Sequence, residues 1–288
     1  MRLPLTRHPV LCNYYVTYRC NAKCSFCDLW ERPSPYVTEA DVAANLRDLK
    51  RLGVRVIDFT GGEPLLHRAL PSFLRMAKEL GFITTITTNT LLYPKYAQAL
   101  AGLVDMLHFS IDSADGETHN ASRGVPCWDH LQRSIPLARE LGEQPDLLFT
   151  VHEENWQDIG PIYHDVAQPN GLLLILNPIF EYKGYGSQLP TQAFSAMRTW
   201  ADKPGIYLNE GFLKLREDGG NQTDNPVCRA GSTSVVISPE NELLAPCYHL
   251  SEQSFPIQGR LYELWQERAV REARAQEGRM PACQGCAI

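Results

Sequence analysis

Apolar positions along this chain fall into two alternating rhythms. Short runs rich in β-branched residues, bounded by Gly, Pro, Asn or Asp, read as strands. The longer stretches between them carry apolar residues at three- and four-residue spacing, as an amphipathic helix does. Residues 14–17 open the series as a strand. Val42, Leu46, Leu49 and Leu52 then recur at helical spacing, with Thr38 as cap, Glu39 and Asp41 in the first turn, and Gly53 as the stop. Further strands are expected at residues 54–60, 82–89, 106–112, 147–151 and 172–177. Helices are expected at 70–80, 93–100, 131–141, 159–167 and 193–201. Six β–α units in succession imply an α/β fold of parallel strands joined by right-handed crossovers, either an open doubly wound sheet or a partial barrel. Both put the working face at the loops after the strand C-termini.

Beyond residue 205 the rhythm changes. Residues 233–237 and 242–245 flank Ser238-Pro239-Glu240-Asn241 and read as a hairpin; 261–275 reads as a helix. The pattern therefore divides the chain into a barrel-like unit over 1–203 and a small hairpin-plus-helix unit over 204–288. At 288 residues, with 44% apolar and 21% charged positions, the totals fit one large globular domain with an appendage. No apolar run reaches the ~18 residues of a membrane span. Residues 1–9 lack the apolar core and cleavage site of a signal peptide, so the expected location is the cytoplasm. A net charge of -6 with no basic block argues against nucleic acid as a partner.

The nine cysteines change the picture most. Cys20, Cys24 and Cys27 lie close together near the start, Cys228, Cys247, Cys283 and Cys286 toward the end, and Cys12 and Cys127 apart. Disulfides are rare in a reducing compartment, and an odd count in two clusters fits metal sites better. Three thiolates within eight residues leave a fourth ligand position open. A closed zinc site would need a fourth ligand, from His8 or a distant group, whereas an iron–sulfur cluster on three thiolates leaves one iron for a bound molecule. Polar residues gather at the same predicted rim: Gly61, Gly62 and Glu63, then Thr88 and Asn89, Ser110 and Asp112, His152 and Asn155, and Asn177. Glu181, Tyr182 and Tyr185 follow the sixth strand as further substrate-site candidates.

Cys20-x3-Cys24-x2-Cys27 with Phe26 before the last cysteine resembles the signature of the radical S-adenosylmethionine superfamily. Gly61-Gly62-Glu63-Pro64, Thr88-Asn89 and Ser110-Ile111-Asp112, each following its own strand, extend the resemblance over roughly residues 10–195. It implies a partial (β/α)6 barrel. It also implies a [4Fe–4S] cluster on Cys20, Cys24 and Cys27 whose open iron is chelated by S-adenosylmethionine. Reductive cleavage of that cofactor would yield a 5′-deoxyadenosyl radical that takes a hydrogen atom from substrate. Gly61 and Gly62 would let backbone approach the ligand closely, and Glu63 would accept hydrogen bonds from its ammonium group. Thr88 and Asn89 belong to the same cofactor-binding set. Ser110 and Asp112 suit ribose hydroxyls or the methionyl end, Phe26 would pack near adenine, and Arg123 would pair with the ligand carboxylate. Taken singly, the glycines also fit a tight turn, Ser110 and Asp112 helix caps, and Arg123 a solvated surface.

Cys228-x18-Cys247-x35-Cys283-x2-Cys286 resembles the Twitch auxiliary-cluster domain, and Cys228-Arg229-Ala230-Gly231 with Pro246-Cys247 resembles the start of the longer SPASM domain. Four thiolates would complete a second [4Fe–4S] cluster serving as an electron carrier; tetrahedral zinc is the alternative. A flavodoxin- or ferredoxin-type donor is the implied protein partner. Cys12 and Cys127 both read as small buried residues, and Cys127, near the working face, is in addition a candidate hydrogen donor. The expected substrate is a small biosynthetic intermediate. Alcohol dehydrogenation is the concrete example, on a resemblance to the superfamily's alcohol dehydrogenase of butirosin biosynthesis. Modification of a ribosomally made peptide, as in sulfatase-maturing and peptide-cyclising relatives, and a non-catalytic zinc scaffold are the other readings.

Overall fold

A computed structural model of the chain describes residues 8–179, 189–249 and 253–287. Seven strands run parallel in chain order: β1 Leu11–Thr17, β2 Val56–Gly61, β3 Ile83–Thr88, β4 Met106–Ile111, β5 Asp146–Val151, β6 Leu174–Pro178 and β7 Ile206–Leu208. Three more, β8 Ser234–Ile237, β9 Glu242–Ala245 and β10 Gln253–Pro256, extend the same sheet on the other side of β1. The first crossovers are α1 Glu39–Leu52, α2 Leu70–Glu79, α3 Tyr93–Leu100, and the pair α4 Gly116–Arg123 and α5 Trp128–Glu140.

Strand side chains alternate between faces. Tyr14, Phe59, Ile86, Phe109 and Phe149 are fully buried in one core with Leu46, Leu49, Phe73, Leu74 and Leu131 of the helices. The residues between them face the other way and are largely polar. Asn13 stands in register with Asp58, Asp58 with Thr85, and Thr150 with Asn177. The sheet is thus greasy toward its helices and hydrogen-bonding on its other face. The expected start of α1 is present: Thr38 Oγ1 accepts from Asp41 N at 3.1 Å, and Gly53 closes the helix at φ 89°.

The structure departs from the sequence pattern at several elements. α4 was not expected, because only His119 and Arg123 of its eight residues are buried, too few to show a helical apolar stripe. It is defined by its cap, Asp115, which accepts from Thr118 N at 2.8 Å. β7, the helix Glu210–Glu217 and β10 are also additions. The helix expected over 261–275 is two, Leu261–Gln266 and Arg268–Arg274, broken where Glu267 turns extended at ψ 146°. The helix expected at 159–167 runs on to Asn170 through a π-helical stretch, Ile162–Ala167.

The hairpin is joined directly to the barrel sheet. β8 pairs parallel to β1, Leu11 with Ser234 through Tyr14 with Ile237. Its turn is clasped to α1: Asn45 Nδ2 donates to Tyr14 OH and to Asn241 Oδ1, each at 2.8 Å, and Asn241 Nδ2 donates to Asp41 Oδ1 at 2.8 Å. Asn241 sits at φ 59°, a conformation Asn tolerates better than other non-Gly residues. Asn241→Ala should therefore lower stability by about 1–3 kcal/mol through lost hydrogen bonds and backbone strain. Asn241→Gly should recover the backbone share. Urea midpoints of the two variants check this; equal midpoints would contradict the strain component.

Candidate cofactor cavity and a second cysteine cavity

The loop carrying Cys20, Cys24 and Cys27 leaves the C-terminal end of β1 and is held by backbone on two sides. Gly62 N donates to Thr17 O and Glu63 N to Arg19 O, both at 2.9 Å. A Cβ at Gly61 would lie far inside van der Waals contact with Thr17 O, and one at Gly62 with the carbonyls of Tyr18 and Arg19. Gly61, at φ 150°, also occupies the left-handed half of backbone space. The fold thus adds a second reason for these glycines beside the expected approach to a ligand: they also admit the backbone of the cysteine loop itself. From the other side Lys23 N donates to Arg123 O at 2.9 Å, and a Cβ at Gly124 would stand 2.6 Å from Lys23 O.

Between these supports lies a cavity of about 160 Å³. Its wall brings together Cys20, Cys24, Cys27, Phe26, Gly61, Gly62, Glu63, Thr88, Asn89, Ser110 and Arg123. Ala22, Trp30, Thr60 and Thr87 complete it. The two threonines were legible as strand-end residues next to residues already chosen; Trp30 had no comparable signal.

Burial pushes the Cys20 thiol up to about 12 and raises Cys24 and Cys27, with Arg123 pulling against burial at Cys24. Such thiols ionise when a metal supplies the compensating charge. N–H groups already point at the sulfurs, among them Ala22 N to Cys20 Sγ at 3.4 Å, Asn89 Nδ2 to Cys20 Sγ at 3.8 Å, and Arg123 Nη1 to Cys24 Sγ at 3.8 Å. Donors around soft sulfur ligands fit an iron–sulfur cluster, whose potential they tune. Among the described residues no three His, Cys, Asp or Glu side chains are grouped as the ligands of one metal ion.

Glu63 is 1% exposed and accepts from Leu65 N (3.1 Å), Thr88 Oγ1 (2.8 Å) and Asn89 N (2.8 Å). It therefore ties the end of β2 to the end of β3 while lining the cavity. Burial pushes its carboxyl up to about 7, against those three hydrogen bonds. Arg123 Nη2 pairs with Asp112 Oδ1 at 2.7 Å, and Asp112 Oδ2 accepts from Ser122 Oγ at 2.7 Å. Asp112 thus stands behind the wall as the arginine's counter-ion, both oxygens engaged. Arg123 lies 5.7 Å over the Phe26 ring, and its buried Nε has no hydrogen-bond partner among the described residues, the kind of group an anionic ligand satisfies.

Other candidates fall elsewhere. Cys127 is fully buried behind α4, its Sγ 3.3 Å from His119 Nε2, and is not on the cavity wall. Asp112 N donates to His119 Nδ1, so the His119 proton sits on Nε2 and points at the sulfur. Burial and the nearby Arg123 pull His119 down to about 4, and burial pushes Cys127 up to about 11, leaving a neutral pair. Cys12 is buried in the β1 core, as expected. His152 stands 6.1 Å from the Phe26 ring, and Asn155 closes a turn by accepting from His152 N at 2.7 Å. Asn177 lies on β6 opposite Thr150, and His8 is exposed. Glu181, Tyr182 and Tyr185 lie outside the described residues.

The family model of the radical SAM superfamily matches residues 14–166, over half of the chain. The chain belongs to the radical SAM superfamily. Membership makes it an enzyme and implies S-adenosylmethionine and a [4Fe–4S] cluster as cofactors. Among curated relatives it is 29% identical to the Fe-coproporphyrin III synthase of Methanosarcina barkeri, over 62% of this chain and 46% of that one. It is 31% identical to a probable GTP 3′,8-cyclase of Saccharolobus islandicus, over 50% and 48%. The chain thus spans about half the length of the curated relatives it matches. Among solved structures, SuiB of Streptococcus suis bound to its precursor peptide SuiA aligns with a TM-score of 0.76 at 19% identity, covering 93% of this chain and 67% of SuiB. The AdoMet-bound anSMEcpe aligns at 0.69 and 16% identity, over 96% and 83%. At these identities the likeness is one of fold, and it extends past the barrel.

In this radical SAM enzyme the other four cysteines also share one space. Cys228, Cys247, Cys283 and Cys286 line a cavity of about 300 Å³ together with Asn221, Arg229, Glu277 and Gly278. Cys228 precedes a short helix, Ala230–Thr233; Cys247 follows β9; Cys283 ends a 3-10 turn, Pro281–Cys283. Burial raises the Cys228 thiol, with smaller contributions from Cys286, Glu277 and Cys283. Asn221 was missed from sequence; its only signal was the turn-forming Gly219-Gly220-Asn221 just before Cys228.

Gly62→Ala should displace Tyr18 and Arg19 and with them the first cysteine loop. Iron bound after anaerobic reconstitution should fall by about four atoms per chain. Colorimetric iron analysis checks this; an unchanged count would show that the loop tolerates the added methyl.

Proposed function

We propose that this enzyme binds S-adenosylmethionine against a [4Fe–4S] cluster on Cys20, Cys24 and Cys27, and holds a second [4Fe–4S] cluster on Cys228, Cys247, Cys283 and Cys286. With them it oxidises a small biosynthetic intermediate, an alcohol being the model substrate. The observation that carries this is the gathering of the three loop cysteines and the cofactor-type residues on one cavity wall, with the remaining clustered cysteines on another. Cys20, Cys24 and Cys27 would hold the first cluster, which together with bound S-adenosylmethionine would supply hydrogen-atom abstraction from the substrate.

The chain's own residues have definable tasks. Glu63 accepts from the amino end of the cofactor, and Arg123 Nε, with no partner among the described residues, donates to its carboxylate. Phe26, beneath the guanidinium, shields the adenine side from water. The polar face of the sheet, with Asn13, Asp58 and Thr85 in one row, offers hydrogen bonds suited to a hydroxylated small molecule. Oxidising an alcohol removes one hydrogen atom, one electron and one proton. Cys228, Cys247, Cys283 and Cys286 would hold a cluster with no open iron, which would supply an acceptor for the electron, the proton leaving to solvent. A flavodoxin- or ferredoxin-type protein is the proposed donor to the first cluster.

Anaerobic reconstitution should yield about eight irons per chain, and dithionite should release 5′-deoxyadenosine from S-adenosylmethionine. A carbonyl product from a hydroxylated substrate is expected. A modified peptide would replace that substrate assignment, and bound zinc without visible absorbance would overturn the whole reading. Alanine at Arg123 should weaken S-adenosylmethionine binding roughly tenfold or more, by loss of a charged hydrogen bond; equilibrium binding checks it.

The pH dependence follows from Glu63. Its carboxyl titrates at about 7 in the free protein, and only the carboxylate accepts from the amino group. Below that pH binding must first expel a proton, so the cofactor's Kd should rise toward about tenfold per pH unit. Glu63→Gln should flatten that slope. A slope unchanged in the variant would remove Glu63 from this role.

A further inference from the structure

We infer that Asn221 is the positioning residue that assembles the four-cysteine cavity before any metal enters; its consequence for metal content rests on reading that cavity as an iron–sulfur site. The cysteines arrive on segments far apart in the chain, and a cluster site needs their backbones fixed in advance. A side-chain amide has two N–H donors and a carbonyl oxygen with two lone pairs. Asn221, 2% exposed, uses all of them across the cavity wall. Its Nδ2 donates to Gly278 O at 2.8 Å and to Cys283 O at 3.1 Å. Its Oδ1 accepts from Val227 N at 3.1 Å and Cys228 N at 3.3 Å. Its backbone N donates to Cys286 O at 2.7 Å, and its backbone O accepts from Gly285 N at 2.8 Å. One residue thus bonds the backbones of three of the four cysteines. The fourth, Cys247, is delivered by β9.

The neighbouring glycines are shaped to this arrangement. A Cβ at Gly278 would stand 3.0 Å from both Asn221 Oδ1 and Cys228 Cβ, and one at Gly220 would collide with Gly285 O. With every polar valence engaged by backbone, Asn221 is a scaffold and does not itself ligate metal. Aspartate is nearly the same size and keeps the acceptor for Val227 and Cys228. It replaces the N–H donors with an oxygen facing the carbonyls of Gly278 and Cys283, so Asn221→Asp isolates the hydrogen bonding from the packing.

The test uses the full chain. In metal-free protein, hydrogen exchange over residues 220–228 and 278–286 should be about tenfold or more faster in N221D than in wild type, with the β1–β5 barrel unchanged. After anaerobic reconstitution wild type should hold about eight irons and N221D about four, with the first cluster's spectroscopic response to S-adenosylmethionine retained. Should N221D not fold, Asn221→Ser removes the Nδ2 bonds without adding charge and carries the same comparison. Unchanged exchange in the variant, or eight irons in both proteins, overturns the role of Asn221. Four irons in wild type overturns the second-cluster reading instead, and the exchange comparison still decides on Asn221.

Discussion

The first cysteine loop stands where it does because β2 passes beneath it with no side chain in the way. Gly61 and Gly62 bring their backbone against Thr17, Tyr18 and Arg19, and hydrogen bonds from Gly62 N and Glu63 N secure the contact. Backbone so close cannot be separated by even a methyl group. Glu63 begins in that contact and reaches across to Thr88 and Asn89, and Asn89 returns to Asn21 and Cys20. A single close approach therefore sets the spacing between the thiols and the polar wall opposite them.

Charge is handled with equal economy. Arg123 is buried, and burial alone would disfavour its cation, but Asp112 beside it keeps the guanidinium charged. An ion pair out of water is costly unless its remaining hydrogen-bonding groups are met. Here Ser122 completes Asp112, the sulfur of Cys24 meets one arginine nitrogen, and Nε has no partner among the described residues. The pair sets a buried positive charge beside Cys24 on the cavity wall.

β1 is the structural hinge between the two cysteine sites, joined to β2 on one edge and to β8 on the other. Its far end feeds the first loop, while β8 and β9 lead to Cys247. Tyr15 stacks on Tyr248, the residue after Cys247, with ring centroids 4.3 Å apart, and Tyr18 joins them to form a small buried cluster of its own. The C-terminal segment is packed to the barrel through strand pairing and aromatic contact, as its continuous sheet requires.

Much of this was legible in the residues. The β–α rhythm, the cap and stop of α1, and the placement of Cys20, Glu63, Asn89 and Ser110 at strand ends follow from local periodicity and from parallel strands sharing one C-terminal rim. Other features depend on partners distant in the chain, which periodicity does not report. α4 has no apolar stripe, and β7 is three residues long; both exist because neighbouring elements hold them. Asp112 has the residue type of a ligand contact, and only the fold shows that Arg123, a helix away, pairs with it. Gly61 and Gly62 were recognisable as important, but only the fold shows that what they admit is the backbone of Thr17, Tyr18 and Arg19. Asn221 carries no motif at all: its meaning arises when Cys228, Gly278, Cys283 and Cys286 close around it. Local sequence determined the repeating β–α elements and the chemical types at their ends, while long-range packing added the short elements and decided which of those groups face a cavity and which are spent on one another.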